Sequence, residues 1–84
     1  MQEIVRLIDF LNRIRYAVEP VINTHLYIDL DMFNGSLIIK FSYQRFGQDR
    51  IGYAYDFTEL ELSNVELLNY RSIEIIRSLK ESIF

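Results

Sequence analysis

The dipeptide Asn34-Gly35, flanked by alternating apolar and polar residues, constrains the fold of this chain more than any other feature. A two-residue type I′ turn needs positive φ at both central residues, and Asn-Gly adopts it readily. Folding about this turn places Asp29 opposite Lys40. Beyond the turn every second residue is apolar, which is the period of a half-buried strand: Leu37, Ile39, Phe41 and Tyr43. The turn and the alternation therefore predict the same strand register.

Five elements are predicted along the chain. Apolar residues at helical spacing predict an amphipathic helix over residues 2–18, which Pro20 ends because it cannot continue a helix. Three strands follow, at residues 21–31, 36–46 and 50–57. A capping box that starts at Ser63 predicts a second helix over residues 63–82, and a competing box at residues 58–61 leaves its start open by several residues.

This element order predicts a single α+β domain over residues 1–84. A three-stranded antiparallel sheet would form one layer of an α-β-β-β-α arrangement, with both helices on one face. A three-residue turn over 47–49 would pair the second and third strands so that Asp56 also lies opposite Lys40. We expect the first helix to bury one face, made of Ile4, Leu7, Ile8, Leu11, Ile14 and Val18.

Composition and charge exclude several classes of function. The chain has no cysteine, so it forms neither disulfides nor thiolate metal sites, and we expect a cytoplasmic protein. Its net charge is −3, and no basic stripe is present to neutralise phosphates, so we expect no direct binding of nucleic acid. No apolar run is long enough to cross a membrane. The acids concentrate in the middle of the chain, which favours a basic partner.

Three carboxylates form the only arrangement that suggests metal chemistry. Asp29 and Asp31 project to one face of a strand, and Asp56 is expected two strands away on the same face. Carboxylates so placed can hold Mg²⁺ or Mn²⁺ in phosphoryl-transfer enzymes, and this function is one alternative. Against it, Lys40 is predicted between the acids, and an open sheet face offers no pocket that excludes water. We therefore expect no catalytic residue, no metal and no cofactor.

Both helices carry apolar residues away from their predicted buried faces. The first presents Val5, Asn12 and Tyr16, and the second presents Tyr70, Ile73 and Phe84 beside Arg77. Exposed tyrosine with arginine is a composition that protein interfaces favour. A homodimer, formed by a structural or regulatory module, is therefore a further alternative.

In layout the chain resembles the small acidic inhibitors that phages make, including anti-CRISPR proteins. The likeness is carried by the Asn34-Gly35 hairpin, by the strands around it and by six acids: Asp29, Asp31, Asp49, Asp56, Glu59 and Glu61. The resemblance implies a stoichiometric protein that occupies a basic nucleic-acid site on an effector.

The leading interpretation is thus a non-catalytic protein-binding domain that inhibits a basic, nucleic-acid-binding effector such as a CRISPR-associated protein inside the cell. The residues expected to contact the partner are acids and exposed apolar or aromatic side chains: Asp29, Asp31, Asp56, Glu59, Glu61, Tyr27, Tyr70, Ile73 and Phe84.

Overall fold

The computed structural model describes the backbone of residues 2–83 and the side chains of residues 4–83. Its three strands form one antiparallel sheet in the order β1-β2-β3, so that β2 is central and the other two strands are edges. The predicted α+β fold is confirmed, with one short helix added. The elements are α1 (Gln2–Ile22), β1 (Tyr27–Phe33), β2 (Ser36–Tyr43), β3 (Ile51–Phe57), α2 (Glu59–Leu62) and α3 (Val65–Glu81).

The register of the first hairpin is confirmed. Asp29 lies opposite Lys40, and the turn residues Asn34 and Gly35 have φ values of 51° and 78°. Both values are in the left-handed region that a type I′ turn requires. The hairpin therefore forms as its turn residues and its alternation predict.

The predicted register of the second hairpin is wrong by two residues. Ala54, not Asp56, lies opposite Lys40, and Asp56 lies opposite Ile38. The reason is the connection, which spans residues 44–50 and holds a turn closed by a hydrogen bond from the Gln48 amide to the Arg45 carbonyl (3.0 Å). A shift of two residues keeps every side chain on its predicted face.

Both long helices pack on one face of the sheet, which we call the inner face. They run in the same direction, because Arg6 bonds the Ser63 carbonyl and Arg13 bonds the Asn69 side chain. Among the described side chains, thirteen buried hydrophobic residues form the core between helices and sheet: Phe10, Ile14, Val18, Ile22, Leu26, Leu37, Ile39, Phe41, Tyr43, Phe57, Leu68, Ile75 and Leu79.

Helix α1 continues past Pro20, contrary to the prediction that it ends there. Its last residue, Ile22, is completely buried one turn beyond Val18, and this burial favours the helical path. Asn23 then ends the helix with a φ of 56°, and its amide donates to the Glu19 carbonyl (2.8 Å). The first strand consequently begins at Tyr27 rather than at residue 21.

The predicted buried face of α1 is only partly correct. Ile4 and Ile8 are 59% and 51% exposed, whereas Phe10, which the helical pattern did not include, is buried against Phe57 with ring centroids 5.6 Å apart. The core contacts of α1 thus concentrate in its second half, and its first turns leave apolar side chains uncovered.

The approach to α3 contains two caps where one was predicted. Thr58 and Glu61 form a complete capping box that starts the four-residue helix α2. Ser63 ends α2 instead of starting α3. Asn64 caps α3, because its side chain accepts hydrogen bonds from the amides of Glu66 and Leu67.

Candidate functional site

The sheet face that carries no helix, which we call the outer face, is an open and largely polar surface of the described residues. It exists because most alternate residues of the three strands are polar or small and point away from the core, with Ile38 and Tyr27 among the large exceptions. Its ionic and smallest residues are exposed: Asp29, Asp31, Lys40, Gly52, Ala54 and Asp56. The strand register arranges this face in three rows: Asp31, Ile38 and Asp56; Asp29, Lys40 and Ala54; Tyr27, Ser42 and Gly52.

One end of the outer face is acidic. Asp31 and Asp56 lie on either side of the half-buried Ile38, and the exposed Glu59 follows β3 at the same end of the sheet. Among the residues that the structure describes, the carboxylates of Asp31 and Asp56 form no ion pair. We call Asp31, Ile38, Asp56 and Glu59 the acidic end; it combines solvated negative charge with an apolar centre.

The predicted placement of Lys40 between two acids is wrong for one of them. Asp29 faces Lys40 across the first hairpin, but Asp56 is one row away, opposite Ile38. Asp29 and Asp56 nevertheless both point to the outer face, as the alternation requires. The negative charge at the acidic end is therefore less neutralised by Lys40 than the predicted register implied.

The opposite end of the outer face is occupied by a cationic and aromatic cluster that sequence reasoning missed. The Arg50 guanidinium lies 5.2 Å from the centre of the Tyr27 ring and donates to the Ser42 hydroxyl (2.9 Å). The His25 ring lies edge-on to the Tyr27 ring, with the two ring centres 4.6 Å apart. Tyr27, one of the predicted partner contacts, is 50% exposed and contacts both Arg50 and His25. The sequence feature that could have revealed this cluster is the even number of Arg50, because the even positions of the third strand point to the outer face.

Glu61 is engaged within the fold. Its carboxylate accepts from the Thr58 amide (3.2 Å) and lies 3.8 Å from the Arg71 guanidinium. A carboxylate that caps a helix N-terminus and pairs with an arginine mainly stabilises the fold, and it is less free to contact a partner. Glu59, two residues earlier, is exposed and has no such role in the described contacts.

Tyr70 and Ile73 lie on a different surface from the acids. Both are on α3, at 70% and 58% exposure, and α3 covers the inner face of the sheet. The predicted contact residues therefore fall on two separate surfaces of the domain. Phe84 lies outside the described residues.

A third surface, also missed by sequence reasoning, follows the free edge of β1. Exposed apolar side chains of α1 and β1 meet there, and Leu30 and Met32 are 51% and 67% exposed although they point to the inner face. Between helix and strand is an open groove of about 280 Å³, lined by Ile8, Leu11, Asn12, Arg15, Ile28 and Leu30. Sequence periodicity marks all of these apolar residues as core and gives no sign that they remain uncovered.

The three aspartates do not converge on one point. Asp31 and Asp56 are on the two edge strands, and Ile38 lies between them. Two strand spacings separate the two aspartates, which amounts to about 10 Å. Within residues 2–83 no group of three or more histidine or acidic side chains is arranged to hold a metal ion. What the outer face offers chemically is charge and a shallow surface for binding.

No protein-family model, curated protein or solved structure shows a significant match to this chain. In the part of the chain that the structure describes, the helices are too short or too polar to span a bilayer.

Proposed function

We propose that this chain is a small non-catalytic protein-binding domain that acts inside the cell and inhibits a basic, nucleic-acid-binding effector of the CRISPR-associated kind. The acidic end of the outer face carries the proposal. Asp31 and Asp56 flank an apolar residue there, and neither is neutralised by an ion pair among the described residues. Charge of one sign beside an accessible apolar centre suits a partner surface that otherwise binds phosphates.

The test is a charge reversal with a matched control. A triple variant, Asp29→Lys with Asp31→Lys and Asp56→Lys, should slow association with the co-purified partner at least tenfold at low salt, because steering by opposite charge is lost. The wild-type rate should itself fall as salt rises, since exposed charges are screened over about 8 Å at physiological ionic strength. Surface-based kinetics at several salt concentrations measure both effects.

The control variant carries the same change in net charge on the helices, which pack on the inner face: Asp9→Lys, Glu66→Lys and Glu81→Lys, all at exposed positions. It should retain most of the wild-type association rate. Equal slowing by both triple variants, or a partner bound equally well by the outer-face variant, contradicts the proposed site. If the domain is an inhibitor, the partner's nucleic acid should compete with it for binding.

A homodimer is the second candidate, and the exposure of Tyr70 and Ile73 favours it. If this surface of α3 forms a self-interface, the purified protein should sediment as a dimer at high micromolar concentration. Tyr70→Glu should then make it monomeric, because a buried unpaired carboxylate disfavours association. The exposed Tyr16→Glu on α1 is the matched control. A wild-type monomer at that concentration removes the candidate.

A further inference from the structure

The edge of β1 that faces away from β2 exposes backbone hydrogen-bonding groups over a short window. In the first hairpin, residues 27, 29, 31 and 33 direct their amides and carbonyls to β2, because the pair flanking a two-residue turn is hydrogen-bonded and the pattern alternates from there. The groups of residues 28, 30 and 32 therefore point to the free edge. Unpaired edge groups of this kind are a template for another strand.

Both ends of this edge are closed by the fold itself. At one end the Leu26 amide donates to the Glu19 carboxylate (2.8 Å) and the Leu26 carbonyl accepts from Arg15 (2.9 Å). At the other end the Met32 amide donates to the Asp31 carboxylate (2.9 Å). Between these two closed ends the backbone of Ile28 and Leu30 remains open, and within the described chain neither residue forms a backbone hydrogen bond outside the sheet.

The two sides of this window differ in chemistry. On the outer side are the carboxylates of Asp29 and Asp31. On the inner side is the mostly apolar groove between α1 and β1, which the exposed Ile8 and Leu30 line together with Arg15. A strand laid against β1 alternates its side chains between these two sides. Its complement is a segment in which basic residues alternate with apolar ones.

A second copy of this chain does not supply that complement. Antiparallel pairing of two β1 strands centred on Leu30 places Asp29 of each copy opposite Asp31 of the other. Registers centred on either aspartate place it opposite its own symmetry mate. Like charges directly opposite destabilise a strand pair. The other edge strand, β3, is less suited to this pairing. Its outer-side residues Gly52 and Ala54 carry little or no side chain to contact an added strand, and the outward Asp56 carbonyl already accepts a hydrogen bond from Arg71 (3.0 Å).

We propose that the open edge of β1 binds a short extended segment of the partner as a fourth, antiparallel strand. Its apolar residues pair with Ile28 and Leu30 and fill the α1–β1 groove, and its basic residues lie over Asp29 and Asp31. This rests on the proposed function, and it specifies how a basic partner is recognised. Main-chain hydrogen bonds supply affinity and the alternating side chains supply specificity, as in strand addition generally.

The test uses synthetic capped peptides of about seven residues, a length that spans the window with a margin at both ends. One peptide alternates lysine with valine, and its control alternates glutamate with valine. Titration into the ¹⁵N-labelled protein should shift the amide signals of Ile28 and Leu30 with the lysine peptide, and the glutamate peptide should bind at least tenfold more weakly. No shift at millimolar lysine peptide overturns the proposal.

Backbone methylation of the peptide separates strand addition from contact through side chains alone. In an antiparallel added strand the valine amides point to β1 and the lysine amides point to solvent. Methylating the valine nitrogens should therefore weaken binding at least tenfold, and methylating the lysine nitrogens should leave it nearly unchanged. Equal binding by the valine-methylated and unmethylated peptides overturns the proposal.

A protein variant gives an independent check. Leu30→Pro removes one outward amide but no β1–β2 hydrogen bond, and proline is tolerated at such edge positions. Leu30→Pro should weaken binding of the lysine peptide at least tenfold, whereas Leu30→Val should leave this binding nearly unchanged. Concentration-dependent shifts of the β1 amides without peptide would identify a second copy as the occupant and overturn the proposal. If charge reversal abolishes partner binding but valine methylation has no effect, the proposed function stands and strand addition fails.

Discussion

Phe41→Ala is expected to lower the free energy of unfolding by about 3–5 kcal/mol, the cost of removing a large aromatic side chain from a packed core. Phe41 is completely buried at the middle of the central strand. It lies opposite Ile28 on one side and Tyr53 on the other, and its ring centre is 6.0 Å from that of Tyr55. Because native domains are stable by only about 5–15 kcal/mol, this loss is a large fraction of the total and should lower the urea midpoint strongly.

The matched control for this experiment is Phe46→Ala, which removes the same atoms from a fully exposed loop position. Its effect should stay within about 0.5 kcal/mol. Urea denaturation followed by circular dichroism measures both variants. Similar losses of stability in the two variants would mean that the inner face of the sheet is not the core.

The first hairpin could be predicted to the residue because two independent signals specify it. Asn34-Gly35 fixes the turn geometry, and the alternation through β2 fixes which side chains are buried; a slip of one residue would expose Phe41 and Ile39. The second hairpin has no comparable turn signal. Gly47 has a φ of 77° and marks a turn, but nothing in the sequence specifies that the connection includes Gln44 and Arg50. The predicted register of β3 was therefore wrong by two residues.

The end of α1 was ambiguous for a different reason. Ile22 and Leu26 are four residues apart, a spacing that suits a helix, and with Thr24 between them they also suit a strand. Pro20 favoured the strand because it lacks an amide for the helical hydrogen bond. Complete burial of Ile22 in the core favours the helix, and a local sequence pattern does not show such tertiary contacts.

The candidate site was predicted in its outline and not in its detail. Alternation was sufficient to place Asp29, Asp31 and Asp56 on one open face. It could not show that Arg50 reaches over Tyr27, since that contact depends on the small Ser42 between them. Nor could it show the groove at β1, because exposure of apolar residues on the inner face depends on how far α1 extends over the edge strand.

Arg71→Ala is expected to lower the free energy of unfolding by about 2 kcal/mol, more than an exposed arginine contributes. The guanidinium lies 4.6 Å from the Phe57 ring centre and 5.8 Å from that of Tyr55, and it donates to the Asp56 carbonyl (3.0 Å). One side chain of α3 thus binds an outward carbonyl at the free edge of β3 and packs on two of its aromatic residues. Cation–π contact and a charge-assisted hydrogen bond at a mostly buried site each contribute measurably.

The ion pairs of Arg71 are the smaller part of this effect. Glu61 and Glu74 lie 3.8 Å and 3.6 Å from the guanidinium, and pairs with this degree of solvent access contribute about 0.2–1 kcal/mol. Raising the salt concentration should therefore recover little of the difference between wild type and variant. A loss that disappears at high salt would instead assign the role of Arg71 to these acids.

Two further substitutions make the assignment specific. Arg77→Ala removes the same side chain from an exposed position on the same helix and should change stability by less than about 0.5 kcal/mol. Arg71→Lys keeps the charge but loses the planar group that stacks on Phe57, so it should fall between wild type and alanine. If lysine restores full stability, charge alone explains the site, and the stacking of Arg71 on β3 contributes nothing to the packing of α3 against the sheet.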